Sequence, residues 1–386
     1  MKLTGYDVRS GEAVLVETDR DGVIAHVDPL LDPSDADELW VAPGFIDLQV
    51  NGFAGVDFNQ ADFNAPDASQ AEIGRAIRAI ASTGVTRFFP TVITGAPVAM
   101  LAALRNLADA RASLEMGAAM EAFHVEGPHI SPEDGPRGAH PKEWVRPPDF
   151  DEFLRMQEAA RGNIRLVTLA PEWPGAAEYI ENLTRESVVC SIGHTRATAA
   201  QIHDAVSAGA TMSTHLGNGA GSRTRTEEFI TGQLTETRLA ASFIVDGHHL
   251  PDEFLRRALE AKGLERSILV TDAVAPTTCE PGDYRLGGVE VELHHDGRVT
   301  LRGGERLAGS ALRMDRAIEN VARIAGLRLA QAVALATTNP ARVGRVRARL
   351  QGLRRGERAD VVRFRRGLGR IEVVDVHMSG QMIFGI

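Results

Sequence analysis

The sequence predicts an α/β chain: a (β/α)₈ barrel with a small β-sandwich built from both chain ends. Three observations predict it. The 386 residues exceed the roughly 250 that such a barrel takes, leaving room for one smaller accessory unit. Strand and helix patterns alternate through the middle of the chain, which argues for parallel βα units. Both ends are instead β-rich, with turn residues between short apolar runs. The division expected is 1–42 and 344–386 for the sandwich, with 43–343 as the catalytic barrel.

Taken in order, Val14 to Val16 and Val23 to Val27 are β-rich, with Asp21-Gly22 as turn residues between them. Phe45 to Val50 is the first barrel strand. A helix follows with Ile73, Ile77 and Ile80 on one face, and Gly84 stands where a C-terminal cap is expected. Thr86 to Thr91 is the second strand. The next helix carries Leu101, Leu104 and Ala108, and leads to the strands Ala118 to Val125 and Asn163 to Leu169. Val188 to Ile192 and Thr211 to Thr214 are joined by a helix with Ile202 and Val206 inward. Leu239 to Val245 and Ser267 to Thr271 complete eight. Asp360 to Phe364, Ile371 to Val376 and Gln381 to Phe384 are strand-like again.

Composition narrows the function. Apolar content of 44% is ordinary for a globular protein with a large core. A net charge of -10 without a long basic run argues against nucleic acid as a partner. Met1 to Arg20 has no apolar stretch of signal-peptide length, and no run of about 18 apolar residues speaks for a membrane. Two cysteines, Cys190 and Cys279, exclude a disulfide scaffold and suit a reducing cytoplasm. The expected partner is a small molecule.

The residue after a barrel strand is where such folds keep their chemistry. The third strand ends in His124-Val125-Glu126-Gly127-Pro128-His129, the fifth in Gly193-His194-Thr195 and the sixth in Ser213-Thr214-His215-Leu216. The seventh ends in Asp246-Gly247-His248-His249 and the eighth in Thr271-Asp272-Ala273. A lone histidine is more often structural, and His26, His203, His294 and His295 take that reading. His194 and His215 sit one βα unit apart, so neighbouring strands present them side by side. With Glu126 they make a three-ligand site suited to zinc or a similar divalent ion, with a fourth position open for water. Such an ion lowers the pKa of its water to about 7 and polarises a carbonyl. Asp272 is a further ligand or, more usefully, a group that takes a proton during attack and returns it to the leaving nitrogen. The bland readings are a cap or ion pair for Asp272 and a buried ion pair for Glu126.

At these residues the chain resembles the amidohydrolase superfamily, and within it the N-acetylglucosamine-6-phosphate deacetylases. The likeness covers nearly the whole chain. Pro43 to Gly52 resembles that family's first-strand motif, His124 to His129 its metal-ligand glutamate segment, and Arg137-Gly138-Ala139-His140 its substrate-loop histidine. Gly193-His194-Thr195 and Thr214-His215-Leu216 match its metal histidines. Asp246 to His249 is similar to its Asp-Gly-x-His motif, and Thr271-Asp272-Ala273 carries its catalytic aspartate. Leu307-Ala308-Gly309-Ser310 and Asn339-Pro340-Ala341 resemble two later signatures.

The resemblance implies a barrel of the amidohydrolase type flanked by a β-sandwich, and hydrolysis of a sugar acetamide to acetate and an amino sugar. It implies that Asp272 is base then acid, that His140 polarises the acetyl carbonyl, and that His249, Asn218 and Gly219 hold the sugar phosphate. Ala139, Leu307, Ala308 and Gly309 fall on its substrate loops. It also implies a homodimer. Many superfamily members bind a second metal through a His-x-His pair where this chain has Gln49 and Asn51. Neutral amides are poor zinc ligands beside imidazoles, so one divalent ion per chain is expected, zinc first, with iron, cobalt or manganese as alternatives. The same amides read equally well as braces for the loop.

The stretch Gly217 to Glu228 departs from the family pattern. Asn218 is kept, but the double histidine and Pro-Gly are absent, and Arg223 and Arg225 stand as substitutes able to bind phosphate oxygens. Their other reading is a pair of solvated arginines beside Glu227 and Glu228. An unphosphorylated or different N-acetyl amino sugar therefore stays open as substrate. A cyclic amidohydrolase shares the barrel logic but usually carries a bridging lysine, where this chain has Leu169-Ala170-Pro171-Glu172. A scaffold that lost catalysis need not keep Glu126, His194, His215 and Asp272 together.

Overall fold

The computed structural model describes every residue except 37, 61–65, 219–226 and 368. Eight parallel strands form one sheet in chain order: β1 (Phe45–Val50), β2 (Val85–Ile93), β3 (Phe123–Glu126), β4 (Ile164–Leu169), β5 (Val189–Ile192), β6 (Met212–Ser213), β7 (Ala240–Phe243) and β8 (Ser267–Leu269). A parallel bridge between Val50 and Ala273 joins the first strand to the segment after the eighth, closing the barrel. Every residue of β1 and β2 is buried, as expected for strands covered on both faces.

Each strand is followed by a helix on the outside: α1 (Pro66–Ala81), α2 (Pro97–Ser113), α3 (Phe150–Ala159), α4 (Ala176–Arg185), α5 (Ala199–Ala208), α6 (Glu228–Thr235), α7 (Asp252–Lys262) and α8 (Met314–Ala325). Their apolar stripes face the strands; α8 buries Ala317, Ile318, Val321 and Ile324 from a helix that carries charge on its other side. Ile73, Ile77 and Ile80 of α1 are buried, and so are Ile202 and Val206 of α5. Local signals set the boundaries. The Asp149 side chain accepts from the backbone N–H of Asp151 and Glu152 at the start of α3. Thr198 and Gln201 make a capping box on α5, which ends at Gly209 with φ +118°. The third strand is shorter than its apolar run predicts: Gly117–Ala119 is a 3-10 turn, and the Gly117 backbone lies against the Arg111 carbonyl with no room for a side chain.

Both chain ends contribute to one seven-stranded mixed sheet. Its order is Gln381–Gly385, Arg370–Met378, Val361–Gly367, Trp40–Pro43, Lys2–Asp7, Ala13–Thr18 and Ile24–Pro29. The seam is the antiparallel pairing of Val361–Gly367 with Trp40–Pro43. An ionic knot fastens this sheet to the barrel. Asp360, with its side chain wholly buried, accepts from Arg87 Nε at 2.8 Å and Nη2 at 3.0 Å, and from Arg349 Nη1 at 2.6 Å. Glu121 takes Arg358 at 3.0 Å and Arg165 at 3.4 Å.

One unit is absent from the sequence reading. Gly282–Leu286, Val289–Leu293 and Val299–Leu301 form a three-stranded antiparallel sheet between β8 and α8. It packs Leu286, Val291, Leu293 and Val299 against Ile93 and Val274 beside the barrel mouth. Asp57 clamps it by accepting the Gly287 N–H at 2.6 Å. His294 and His295 lie in the turn after its second strand, and His26 lies on a strand of the seven-stranded sheet.

Candidate metal centre and catalytic site

The barrel ends bring four of the sequence-marked side chains to one place. Glu126 is the last residue of β3; His194, His215 and Asp272 follow β5, β6 and β8. His194, His215 and Asp272 all adopt left-handed backbone, with φ of 50°, 29° and 51°. Few non-glycine residues do so, and all three line one cavity. Backbone bonds fix the turns: His215 N–H donates to Ser242 Oγ at 2.8 Å, and Asp272 N–H to the Gln49 carbonyl at 3.0 Å.

Glu126 Oε1 lies 3.0 Å from His194 Nε2 and 2.8 Å from His215 Nε2. Burial would raise the Glu126 carboxyl, but the two imidazoles bonded to it outweigh burial and hold it well below the usual carboxylate range. His194 Nδ1 is 2.8 Å from the Pro136 carbonyl, an acceptor only, so Nδ1 carries the hydrogen. In the neutral ring Nε2 is then a lone pair facing a carboxylate oxygen. Two lone pairs at 3.0 Å require a proton or a cation between them. Glu126, His140 and His194 also offer one ligand atom each, all within 4.8 Å of one another. This donor set of carboxylate and imidazole fits a divalent ion of the zinc type.

Asp272 is held from the first strand. Asn51 Nδ2 donates to its Oδ1 at 2.6 Å, and Gln49 Nε2 donates to the same oxygen at 3.1 Å. Gln49 Nε2 also donates to Glu126 Oε2 at 3.1 Å, so one amide bridges the two carboxylates. Burial first, and then the Glu126 charge, push the Asp272 carboxyl up to about 6, against the lowering pull of His215, His249 and Asn51. Asp47 staples the closure from below, accepting from Thr271 Oγ1 at 2.6 Å. Burial drives its carboxyl up to about 7.

His140 reaches the same centre from the loop after β3. Its Nε2 is 3.2 Å from His194 Nε2, and its Nδ1 is 2.9 Å from Thr94 Oγ1. The Thr94 hydroxyl has a second partner in the Glu126 carbonyl, to which it donates at 3.4 Å. Burial, and then the neighbouring His194, lower the His140 imidazole to about 3, so the ring is neutral.

A cavity of about 320 Å³ opens from this centre, lined by Asn51, Glu126, Ala139, His140, His194, His215, Asn218, Asp272, Leu307 and Gly309. Ala308 is buried behind that wall. His249 is also buried, its Nδ1 2.6 Å from Asp246 Oδ2, and it is not among the residues that line the cavity. Gly219, Arg223 and Arg225 lie outside the described residues. The sequence reading did not single out Thr94, nor Ile93, Leu286 and Arg306 on the cavity wall. Ile93 and Leu286 were hidden because their role depends on the small sheet. Thr94 carries a signal in retrospect: it follows β2, as the other site residues follow theirs.

The profile of the amidohydrolase family matches residues 40–378. N-acetylgalactosamine-6-phosphate deacetylase of Escherichia coli O157:H7 is 33% identical over 365 residues, 94% of this chain and 93% of that protein. N-acetylglucosamine-6-phosphate deacetylase of Bos taurus is 34% identical over 90% of this chain and 84% of its own. The crystal structure of N-acetyl-D-glucosamine-6-phosphate deacetylase from Mycobacterium smegmatis superposes with a TM-score of 0.87 at 30% identity, covering 100% of both chains.

Proposed function

The chain belongs to the amidohydrolase family, and from that premise we propose that it is a deacetylase of an amino-sugar phosphate, hydrolysing N-acetylglucosamine-6-phosphate to glucosamine-6-phosphate and acetate. It is a metal-dependent hydrolase acting on a linear amide. The observation that carries the reading is the convergence of Glu126, His194 and His215 on one cavity with Asp272, whose carboxylate is oriented by two amides.

Glu126, His194 and His215 are the residues that would hold one divalent ion, zinc by donor preference, with iron, cobalt or manganese as alternatives. When bound, the ion supplies Lewis acidity toward the amide carbonyl and toward water. The chain's own groups do the rest. Gln49 and Asn51 engage Oδ1 of Asp272, leaving Oδ2 to take the proton of the attacking water and return it to the leaving nitrogen. His140, a neutral ring on the cavity wall, donates to the acetyl oxygen from Nε2 in the tautomer that carries its hydrogen there. Ala139, Asn218, Leu307 and Gly309 line the cavity and form the sugar-facing surface of this reading, His249 and Ala308 are buried outside that lining, and Gly219, Arg223 and Arg225 stay as candidate ligands of the phosphate. Both amide nitrogens of the first strand point at carboxylates, which supports one ion per chain over two. The reading extends to a homodimer in a reducing cytoplasm. The two cysteines are free, and no helix among the described residues is long and apolar enough to cross a membrane.

The relative from E. coli O157:H7 supports a second reading, in which the substrate is the galactosamine isomer. One experiment tests both. The kcat/KM of the metal-loaded enzyme is measured on N-acetylglucosamine-6-phosphate, its galactosamine isomer and the two unphosphorylated sugars. A preference for the first is expected; a preference for the second selects the other reading. A preference for an unphosphorylated sugar overturns the phosphate part of both.

A further inference from the structure

We propose that Ile93 sets the length of the acyl group this chain removes, by standing as the partition between the cavity of the metal centre and a second cavity behind it. This rests on the deacetylase reading above and deepens it. Ile93 is the register partner of Glu126 across β2 and β3, so the two side chains rise from one face of the sheet. The next residue, Thr94, contacts His140 at 2.9 Å. The acyl carbonyl lies at this centre. The rest of an N-acyl sugar phosphate carries hydroxyl or phosphate oxygens, except for the acyl tail. The tail therefore belongs on apolar wall, and Ile93, Leu286 and Ala139 supply that wall as members of one packed cluster.

Behind Ile93 lies a cavity of about 310 Å³, with Ala99, Met100, Ala103, Pro141 and Trp144 on its apolar side. Among the described residues Ile93 alone lines both cavities. It is fixed from two directions. Its N–H donates to Asn59 Oδ1 at 2.7 Å, and the Asn59 N–H donates to Asp57 Oδ1 at 2.9 Å. The other oxygen of Asp57 takes the Gly287 N–H. Gly287 in turn backs the Ile93 side chain so closely that a β-carbon there would stand 3.6 Å from Cδ1. A β-branched side chain held in this ring has few rotamers with which to turn aside. A methyl group ends at Ile93, and a longer chain runs into it. Once the outer carbons of Ile93 are removed, the space on the far side becomes continuous with the site.

The test measures kcat/KM of metal-loaded wild type, Ile93→Val and Ile93→Ala on N-acetyl, N-propionyl and N-butyryl derivatives of whichever hexosamine 6-phosphate the wild type prefers. In wild type each added methylene is expected to cost about tenfold or more. The butyryl-to-acetyl ratio is expected to rise by about tenfold to a hundredfold in Ile93→Ala, and by less in Ile93→Val. Each ratio is internal to one protein, so a general loss of activity or of folded enzyme cancels from it. Ile93→Val, which shortens the side chain by a single carbon, decides by the same ratio where Ile93→Ala does not fold. A ratio equal to that of wild type in the folded variants overturns the proposal, because a residue that only packs the wall would lower all three substrates alike. A wild type that takes butyryl as readily as acetyl overturns it as well, while leaving the deacetylase reading intact. A metal-loaded wild type that hydrolyses none of the N-acyl sugars overturns that reading, and the proposal with it.

Discussion

His194, His215 and Asp272 each sit in a backbone conformation that costs an ordinary residue on the order of 1–3 kcal/mol. Asp272 tolerates it better than most, since short polar side chains are enriched there, and asparagine shares that tolerance. Asp272→Asn is therefore a clean probe. It keeps the turn and removes the proton acceptor, so kcat is expected to fall by about 10²- to 10⁴-fold while the protein stays folded. Metal analysis of the dialysed wild type and variant is expected to give one ion per chain in each. Unchanged turnover would take Asp272 out of the mechanism, and two ions per chain would contradict the single-metal reading. At this scale the sequence was informative wherever a residue ends a strand, because the barrel puts all strand ends on one rim. It was silent on what holds those residues. Gln49 and Asn51 read as lost ligands or loop braces; that they orient Asp272 follows from closure of the barrel, which brings the first strand beside the segment after the eighth.

Single residues also decide how whole elements end. Lys262, at the C-terminal end of α7, is buried, and its Nζ donates to the carbonyls of Gln233 at 2.6 Å, Glu236 at 3.0 Å and Leu239 at 3.1 Å. Those carbonyls belong to the end of α6 and the link to β7, where no intrahelical donor remains. Lys262→Met keeps the length of the side chain and removes the donor from all three, the Glu236 carbonyl alone keeping the Leu239 N–H at 3.3 Å. A loss of about 3 kcal/mol in urea unfolding is expected, with little change in KM. A midpoint equal to wild type would show that water replaces the ammonium. The eight strands and most helices were legible because their apolar periodicity is strong and their caps are local. The sheet of residues 282–301 was not. Its strands alternate apolar residues with Asp, Arg and Glu, and nothing local tells such a ribbon which surface will receive its apolar side. Here it is Ile93 and Val274.

At the scale of the molecule, two β-rich ends around an alternating middle were enough to read a barrel with an accessory β unit, but not the knot that joins them. Burial would raise the Asp360 carboxyl. The charges of Arg349, Arg87 and Arg358, with the Arg87 hydrogen bonds, outweigh it and hold the group below the ordinary carboxylate range. Burial and the two neighbouring guanidiniums lower Arg349, yet from so high a starting value that it stays charged. A carboxyl depressed in the folded state contributes stability that is complete above its unfolded value of about 3.9 and is lost as pH falls through the folded one. Asp360→Asn is thus expected to cost about 3–5 kcal/mol at neutral pH, measured by urea unfolding. The gap to wild type should narrow as the pH falls below about 4. A gap independent of pH would mean that packing, and not charge, holds the joint. The sheet seam carries a further consequence, in time. Trp40–Pro43 leaves the ribosome early, and Val361–Gly367, which pairs with it, comes some 320 residues later. At about 5–20 residues per second the nascent chain holds an open strand edge for roughly 15–60 seconds, which makes its synthesis a natural point of call for chaperones and a premature stop near the end costly out of proportion to the residues lost.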